Sequence, residues 1–131
     1  MVLVDTSVWI EVFRKPTRFR LESAVELDEV VTCLPVIQEV LQGFRETQAF
    51  SVGLDAMLAL PIVESPLRIE VVVEAANLYR QARRAGLTIR SGVDCLIAVC
   101  AMRNALTVLH NDRDFSVLAR VADLETRGIR G

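Results

Sequence analysis

The chain has 131 residues, 52% of them hydrophobic and 24% charged, enough for one domain with its own buried core. That composition excludes a disordered chain, and the longest run without a charged residue, Val30 to Gln38, is nine residues, far short of a membrane-spanning helix. The formal net charge is −2, which taken alone disfavours a nucleic-acid binder.

Val2-Leu3-Val4 reads as a short buried strand ending in a polar turn, Asp5-Thr6-Ser7. A helix is expected from Val8 to Arg14, broken by Lys15-Pro16-Thr17. Leu21 to Asp28 reads as a short helix and the β-branched run Val30-Val31-Thr32-Cys33 as a strand. Pro35 opens the next helix, with Ile37, Val40, Leu41 and Phe44 at helical spacing. Phe50 to Leu60 predicts a helix and Pro61-Ile62-Val63 a short strand. Ser65-Pro66 starts a helix whose apolar stripe is Ile69, Val72, Val73 and Ala76, and Gly86 stops it. Ser91 and Asp94 have the spacing of a capping box, followed by a face of Val93, Leu96, Ile97, Cys100 and Ala101. Leu106 to Leu109 is a strand, Asp114 to about Arg120 a helix, and residues 123–126 a last short strand. Strands alternating with helices predict an α/β domain with a mainly parallel sheet, read as a single domain over residues 1–131. A parallel sheet covered on both faces accounts for much of the apolar content.

Three cysteines, Cys33, Cys95 and Cys100, lie in apolar context without a metal-binding spacing. They predict buried thiols and a reducing, cytoplasmic setting. Asp5 follows the first strand with no basic segment ahead of it, so no signal peptide is expected. The basic residues are 14 Arg and one Lys, Lys15; Arg is the better bidentate ligand for phosphate.

In an open α/β sheet the site lies beyond the carboxyl ends of the strands. Asp5 directly follows the first strand, and Asp112 follows Leu106 to Leu109 with His110 and Asn111 between. Glu39 sits in the first turns of its helix, about 200° around from Ile37, and Asp94 at the start of another. Four carboxylates in one cleft repel one another unless protons or a cation neutralise them. All-oxygen ligands suit Mg²⁺ or Mn²⁺, and such an ion supports phosphodiester hydrolysis by metal-activated water. Each acid also has a plain structural reading: turn residue, N-cap or solvated helix face. Thr6 and Ser7 either orient Asp5 or cap the following helix. His110 is read as structural rather than as a general base, and Trp9 as core rather than as a base-stacking platform.

Four blocks resemble one known family. Met1-Val2-Leu3-Val4-Asp5-Thr6-Ser7-Val8-Trp9-Ile10 is similar to the opening of PIN-domain proteins, in particular the VapC toxins of bacterial toxin–antitoxin pairs. Pro35-Val36-Ile37-Gln38-Glu39-Val40-Leu41-Gln42-Gly43 follows, then Gly86-Leu87-Thr88-Ile89-Arg90 with Asp94-Cys95-Leu96-Ile97-Ala98, then His110-Asn111-Asp112-Arg113-Asp114-Phe115. The family's acidic site maps onto Asp5, Glu39, Asp94 and Asp112, the acids reached above from chemistry. Thr6, Ser7, Asn111 and Asp114 are candidates to support them. The resemblance implies a three-layer α/β/α fold, dependence on Mg²⁺ or Mn²⁺, and endoribonuclease activity. It also implies a homodimer and a VapB-like antitoxin whose C-terminal segment blocks the cleft and which carries any DNA binding. Arg90, Arg113, Arg14 and Arg18 are candidates to meet RNA phosphate or antitoxin carboxylates.

Two other classes compete with a metal-dependent ribonuclease. A catalytically inactive PIN-like interaction module would not need the complete acid set. A haloacid-dehalogenase-type phosphatase wants Asp-x-Asp where Asp5-Thr6-Ser7 stands, and a phospho-receiver wants a late Lys, whereas the only Lys is Lys15. Setting the four proposed ligands aside from the 17 acids leaves 13 against 15 basic residues, a net of +2. The acidic balance therefore does not argue against RNA.

Overall fold

The computed structural model describes residues 1–16 and 19–130; Arg18 lies outside the described residues. Among these residues five short strands form one sheet: β1 (Val2–Val4), β2 (Val30–Cys33), β3 (Ile62–Val63), β4 (Thr107–His110) and β5 (Thr126–Gly128). Their order is β3-β2-β1-β4-β5, and every pairing is parallel. Leu3 lies beside Val31 on one side and Val108 on the other. Leu3, Val4, Val108 and Leu109 are wholly buried, as expected for central strands covered on both faces.

Among the described residues six helices connect the strands: α1 (Thr6–Phe13), α2 (Leu34–Gln42), α3 (Thr47–Leu58), α4 (Ile69–Arg84), α5 (Gly92–Arg103) and α6 (Arg113–Leu118). They pack as two groups, α1 with α2 and α3, and α5 with α4 and α6. Right-handed crossovers place the groups on opposite faces of the sheet, giving three α/β/α layers. The chain steps outward from β1 to β2 to β3, then crosses back to add β4 and β5 on the other side. This reversal between β1 and β4 opens a crevice at their carboxyl ends. Asp5 and Asp112, the N-caps of α1 and α6, flank it.

The expected strand–helix alternation holds, with local corrections; α4 begins at Ile69 after Arg68 rather than at Ser65-Pro66. Leu21 to Asp28 is not a helix but part of two 3₁₀ turns, Leu21–Ser23 and Leu27–Glu29. Glu26, Asp28 and Glu29 would crowd the negative end of a helix dipole. The stripe on α4 is also different. Val71, Ala75, Leu78 and Ala82 are buried, whereas Ile69, Val72 and Val73 are 81%, 51% and 51% exposed. Both stripes are apolar, so periodicity alone does not choose between them. The small Ala75 and Ala82 let α4 lie close along α5, and axial separation follows the side chains at the contact.

On α5, burial runs almost around the helix (Cys95, Ile97, Ala98, Val99, Cys100 and Ala101), while Val93 and Leu96 are half-buried. The last strand falls at Thr126–Gly128 rather than at 123–126, because this mostly exposed edge strand carries no apolar run. Gly86 ends α4 as expected. It adopts φ 79°, and the Leu87 and Gly86 amides donate to Ala82 and Arg83 carbonyls at 2.9 and 3.0 Å. This is the paired closure that favours glycine at that position. Trp9 is core, 7% exposed and stacked on Phe13.

A candidate acidic active site

Local structure carries each acid to the crevice. Asp5 is the N-cap of α1: its Oδ2 accepts from the Ser7 amide at 3.0 Å and the Ser7 hydroxyl at 2.5 Å. The Ser7 hydroxyl oxygen also accepts from the Asn111 amide at 2.9 Å, so one side chain ties the end of β1 to the loop after β4. The Thr6 hydroxyl donates to Glu39 Oε1 at 2.8 Å, joining α1 to α2. Asp94 lies in the first turn of α5, whose N-cap Ser91 accepts from the Val93 amide at 3.2 Å. The reciprocal half of a capping box is not made, so the Asp94 carboxylate is left facing the crevice. Asp112 caps α6, accepting from the Asp114 amide at 2.9 Å.

All four predicted acids line one cleft of about 320 Å³, together with Thr6, Ser7, Ile10, Arg90, Ser91 and Asp114. For Asp5 and Asp112 the cap that orders the helix also holds the carboxylate at the cleft. Asp114 is more central than a supporting role implies. It is 1% exposed, and among the described residues Asp94, Asp112 and Asp114 form a triad with one ligand oxygen each within 4.8 Å of the others. The signal for it was only its position two residues after Asp112.

Arg90 bridges two members of this triad, Asp112 and Asp114. Its guanidinium donates to Asp112 Oδ1 at 2.8 Å and lies 3.5 Å from Asp114 Oδ1. Its amide donates to Asp114 Oδ2 at 3.0 Å. No pattern in the sequence pointed to this clamp. The other arginines lie elsewhere. Arg14 pairs with Glu11 at 3.1 Å and lines a neighbouring apolar groove; Arg113 is exposed at the start of α6. His110 is buried behind the cleft, its ring tilted 34° against Phe115, with Nδ1 accepting from the Asp112 amide at 3.3 Å. Burial holds its pKa below the usual 6.5, so near neutral pH the ring is an uncharged acceptor.

The carboxylates sit in an environment that opposes their charge. Burial, with a contribution from Glu39, raises Asp5 to about 6 against hydrogen bonds from Ser7 that lower it. Burial, followed by the charges of Asp5 and Asp112, raises Asp94 to about 8. Buried Asp5 Oδ1, Asp94 Oδ2 and Asp114 Oδ1 have no hydrogen-bond donor. Orphaned buried oxygens of this kind are costly in a folded protein. A hard divalent cation satisfies them, and the all-oxygen donor set suits Mg²⁺ or Mn²⁺.

The fold and site define a doubly wound, all-parallel α/β domain with an acidic, cation-seeking crevice at its topological switch point. The sequence pattern of the PIN domain matches residues 2–121, and the chain belongs to the PIN domain family. It is 35% identical over 135 residues to ribonuclease VapC11 of Mycobacterium tuberculosis, covering 99% of this chain and 100% of that protein. Its fold is similar to VapBC2 of Rickettsia felis, solved bound to a DNA fragment from its promoter (TM-score 0.77, 18% identity, 98% of each chain). It is also similar to the toxin–antitoxin pair VapBC-5 of M. tuberculosis (TM-score 0.73, 23% identity, 98% of each chain).

Proposed function

We propose that this chain is a divalent-metal-dependent endoribonuclease, the toxin of a VapBC-type toxin–antitoxin pair. The carrying observation is the convergence of Asp5, Glu39, Asp94, Asp112 and Asp114 on one cleft with buried, donorless carboxylate oxygens. Near full-length likeness to a VapC ribonuclease supports the same reading. Asp94, Asp112 and Asp114 would hold the ion, with Asp5 and Glu39 completing the donor set directly or through water. A bound Mg²⁺ or Mn²⁺ supplies charge for generating a nucleophile from water and for the phosphate in the transition state. Ser7 fixes Asp5, and Thr6 fixes Glu39. Neutral His110 and the Arg90 amide hold the Asp112–Asp114 loop. Arg90 lines the cleft and Arg113 is exposed one residue after Asp112; we assign both to RNA phosphate. An inactive interaction module is the weaker reading, because the acid set is complete.

The antitoxin's C-terminal segment fits the apolar groove of about 310 Å³ lined by Ile10, Phe13, Arg14, Val40 and Phe44, which shares Ile10 and Glu39 with the acidic cleft. A chain lying there reaches the acids directly, and promoter DNA contact belongs to the antitoxin. Among the described residues no helix is long and apolar enough to cross a membrane. With Cys33, Cys95 and Cys100 free and buried, we place the protein in the cytoplasm.

The exposed stripe of Ile69, Val72 and Val73 on α4 is the face we assign to a second copy of this chain, since large apolar patches rarely face water. Val72→Glu is expected to shift the mass measured by light scattering from dimer to monomer; an unchanged mass removes α4 from the interface. The ribonuclease reading itself is tested by sequencing RNA ends after induced expression. Discrete new ends with wild type, absent with Asp5→Asn, support it. Identical end profiles with both would overturn it.

A further inference from the structure

A cation of the chain itself pairs with two of the cleft acids. The Arg90 guanidinium takes Asp112 Oδ1 at 2.8 Å and stands 3.5 Å from Asp114 Oδ1, two of the three residues of the metal-competent triad. Its side chain is 57% exposed, whereas Asp114 is 1% exposed. The arginine therefore reaches in from the cleft mouth and can withdraw to solvent without disturbing the core. Asp114 has separate anchors: the Arg90 main-chain amide, at 3.0 Å, and burial. The Asp112 carboxylate is likewise held by the Asp114 amide at 2.9 Å. Neither placement needs the guanidinium.

We propose that Arg90 is a resident counter-cation that competes with the divalent ion for Asp112 and Asp114, so that metal loading displaces its guanidinium to the cleft mouth. The proposal rests on reading the acidic cleft as a metal site. A carboxylate oxygen bonded to a guanidinium has fewer lone pairs for an ion, and two cations on one pair of carboxylates repel each other. Loading thus exchanges one positive ligand for another and frees Arg90 where RNA phosphate enters. This couples metal occupancy to the availability of a phosphate-binding arginine.

Competition and mere positioning predict opposite signs. If Arg90 only positioned the acids, its removal would weaken metal binding; if it competes, its removal tightens binding. Titration calorimetry with Mn²⁺ on the purified full chain, without RNA, reads the sign. Arg90→Gln is expected to bind Mn²⁺ about 3- to 10-fold more tightly than wild type, the scale of partly exposed ion pairs. Arg90→Lys, which keeps the charge but loses the planar fork, is expected to fall between. Thermal melts confirm that the variants are folded. Equal or weaker binding by folded Arg90→Gln, with wild type binding normally, overturns the proposal and leaves the metal site standing. No binding by either protein overturns the metal-site reading and the proposal with it. Binding by Arg90→Gln alone supports both.

Discussion

Asp94→Asn is expected to slow RNA cleavage by about 10²- to 10³-fold, the range for losing one preorganised electrostatic group, while making the metal-free protein more stable. Asp94 is 5% exposed, with Oδ2 lacking a donor. Burial and the surrounding acids raise it to about 8. Near neutral pH, folding therefore forces this group either to keep its proton or to carry a charge beside other acids. Asparagine keeps the shape and removes that cost. A gain of at least about 1 kcal/mol, roughly 3–5 °C in melting temperature for a domain of this size, is the expected scale. An acid serving only to favour the helix N-terminus would give the reverse sign, because a first-turn carboxylate contributes about 0.3–1 kcal/mol through the helix dipole. Melting in chelator and cleavage in Mg²⁺ measure the two effects on the same preparation. Loss of stability with activity retained would contradict the assignment.

The second large effect is a pH dependence opposite to that of most carboxylate-rich proteins. Folded-state values of about 6 for Asp5 and about 8 for Asp94 lie above the ordinary 3.8. Between 3.8 and those values the folded chain holds protons that the unfolded chain has released, so stability falls as pH rises. The contribution is full below about pH 4 and is lost through about 6 for Asp5 and about 8 for Asp94. His110, lowered from 6.5 by burial, acts in the opposite direction below that pH, so the clean window is pH 6.5 to 8. In chelator the melting temperature is expected to drop across this window. Saturating Mn²⁺ takes the place of the protons, so the stabilisation it gives is expected to grow from pH 6.5 to 8. A metal-free melting temperature that rises over the same range would contradict the repulsive cluster.

Much of this site was legible before any coordinates. Asp5 and Asp112 are readable because they follow apolar strand runs, and the ends of parallel strands are where such sheets bind ligands. Glu39 and Asp94 are readable as early-turn acids of helices that return to the same edge. Gly86 was readable because few other residues tolerate the backbone that closes a helix in this way. What was hidden depended on tertiary contact. The Arg90 clamp joins residues 22 and 24 positions apart, and neither partner carries a local pattern. Asp114 looked peripheral because it shares a turn with Asp112, yet burial makes it the more enclosed of the two. On α4, two apolar stripes compete, and the one with smaller side chains was taken by α5. The apolar content, 52% of the chain, is thus only partly core; Ile69, Val72 and Val73 hold some of it at the surface.

The central claim is that these carboxylates hold a divalent ion that enables cleavage of RNA. Cleavage of a mixed RNA substrate by the purified chain, wild type against Asp5→Asn, in Mg²⁺ and in chelator, tests it most directly. Wild type is expected to cut in Mg²⁺, to stop in chelator and to recover when Mg²⁺ or Mn²⁺ is restored, with Asp5→Asn slowed by about 10²-fold or more. Cleavage that persists in chelator, or an Asp5→Asn protein as fast as wild type in Mg²⁺, would contradict it.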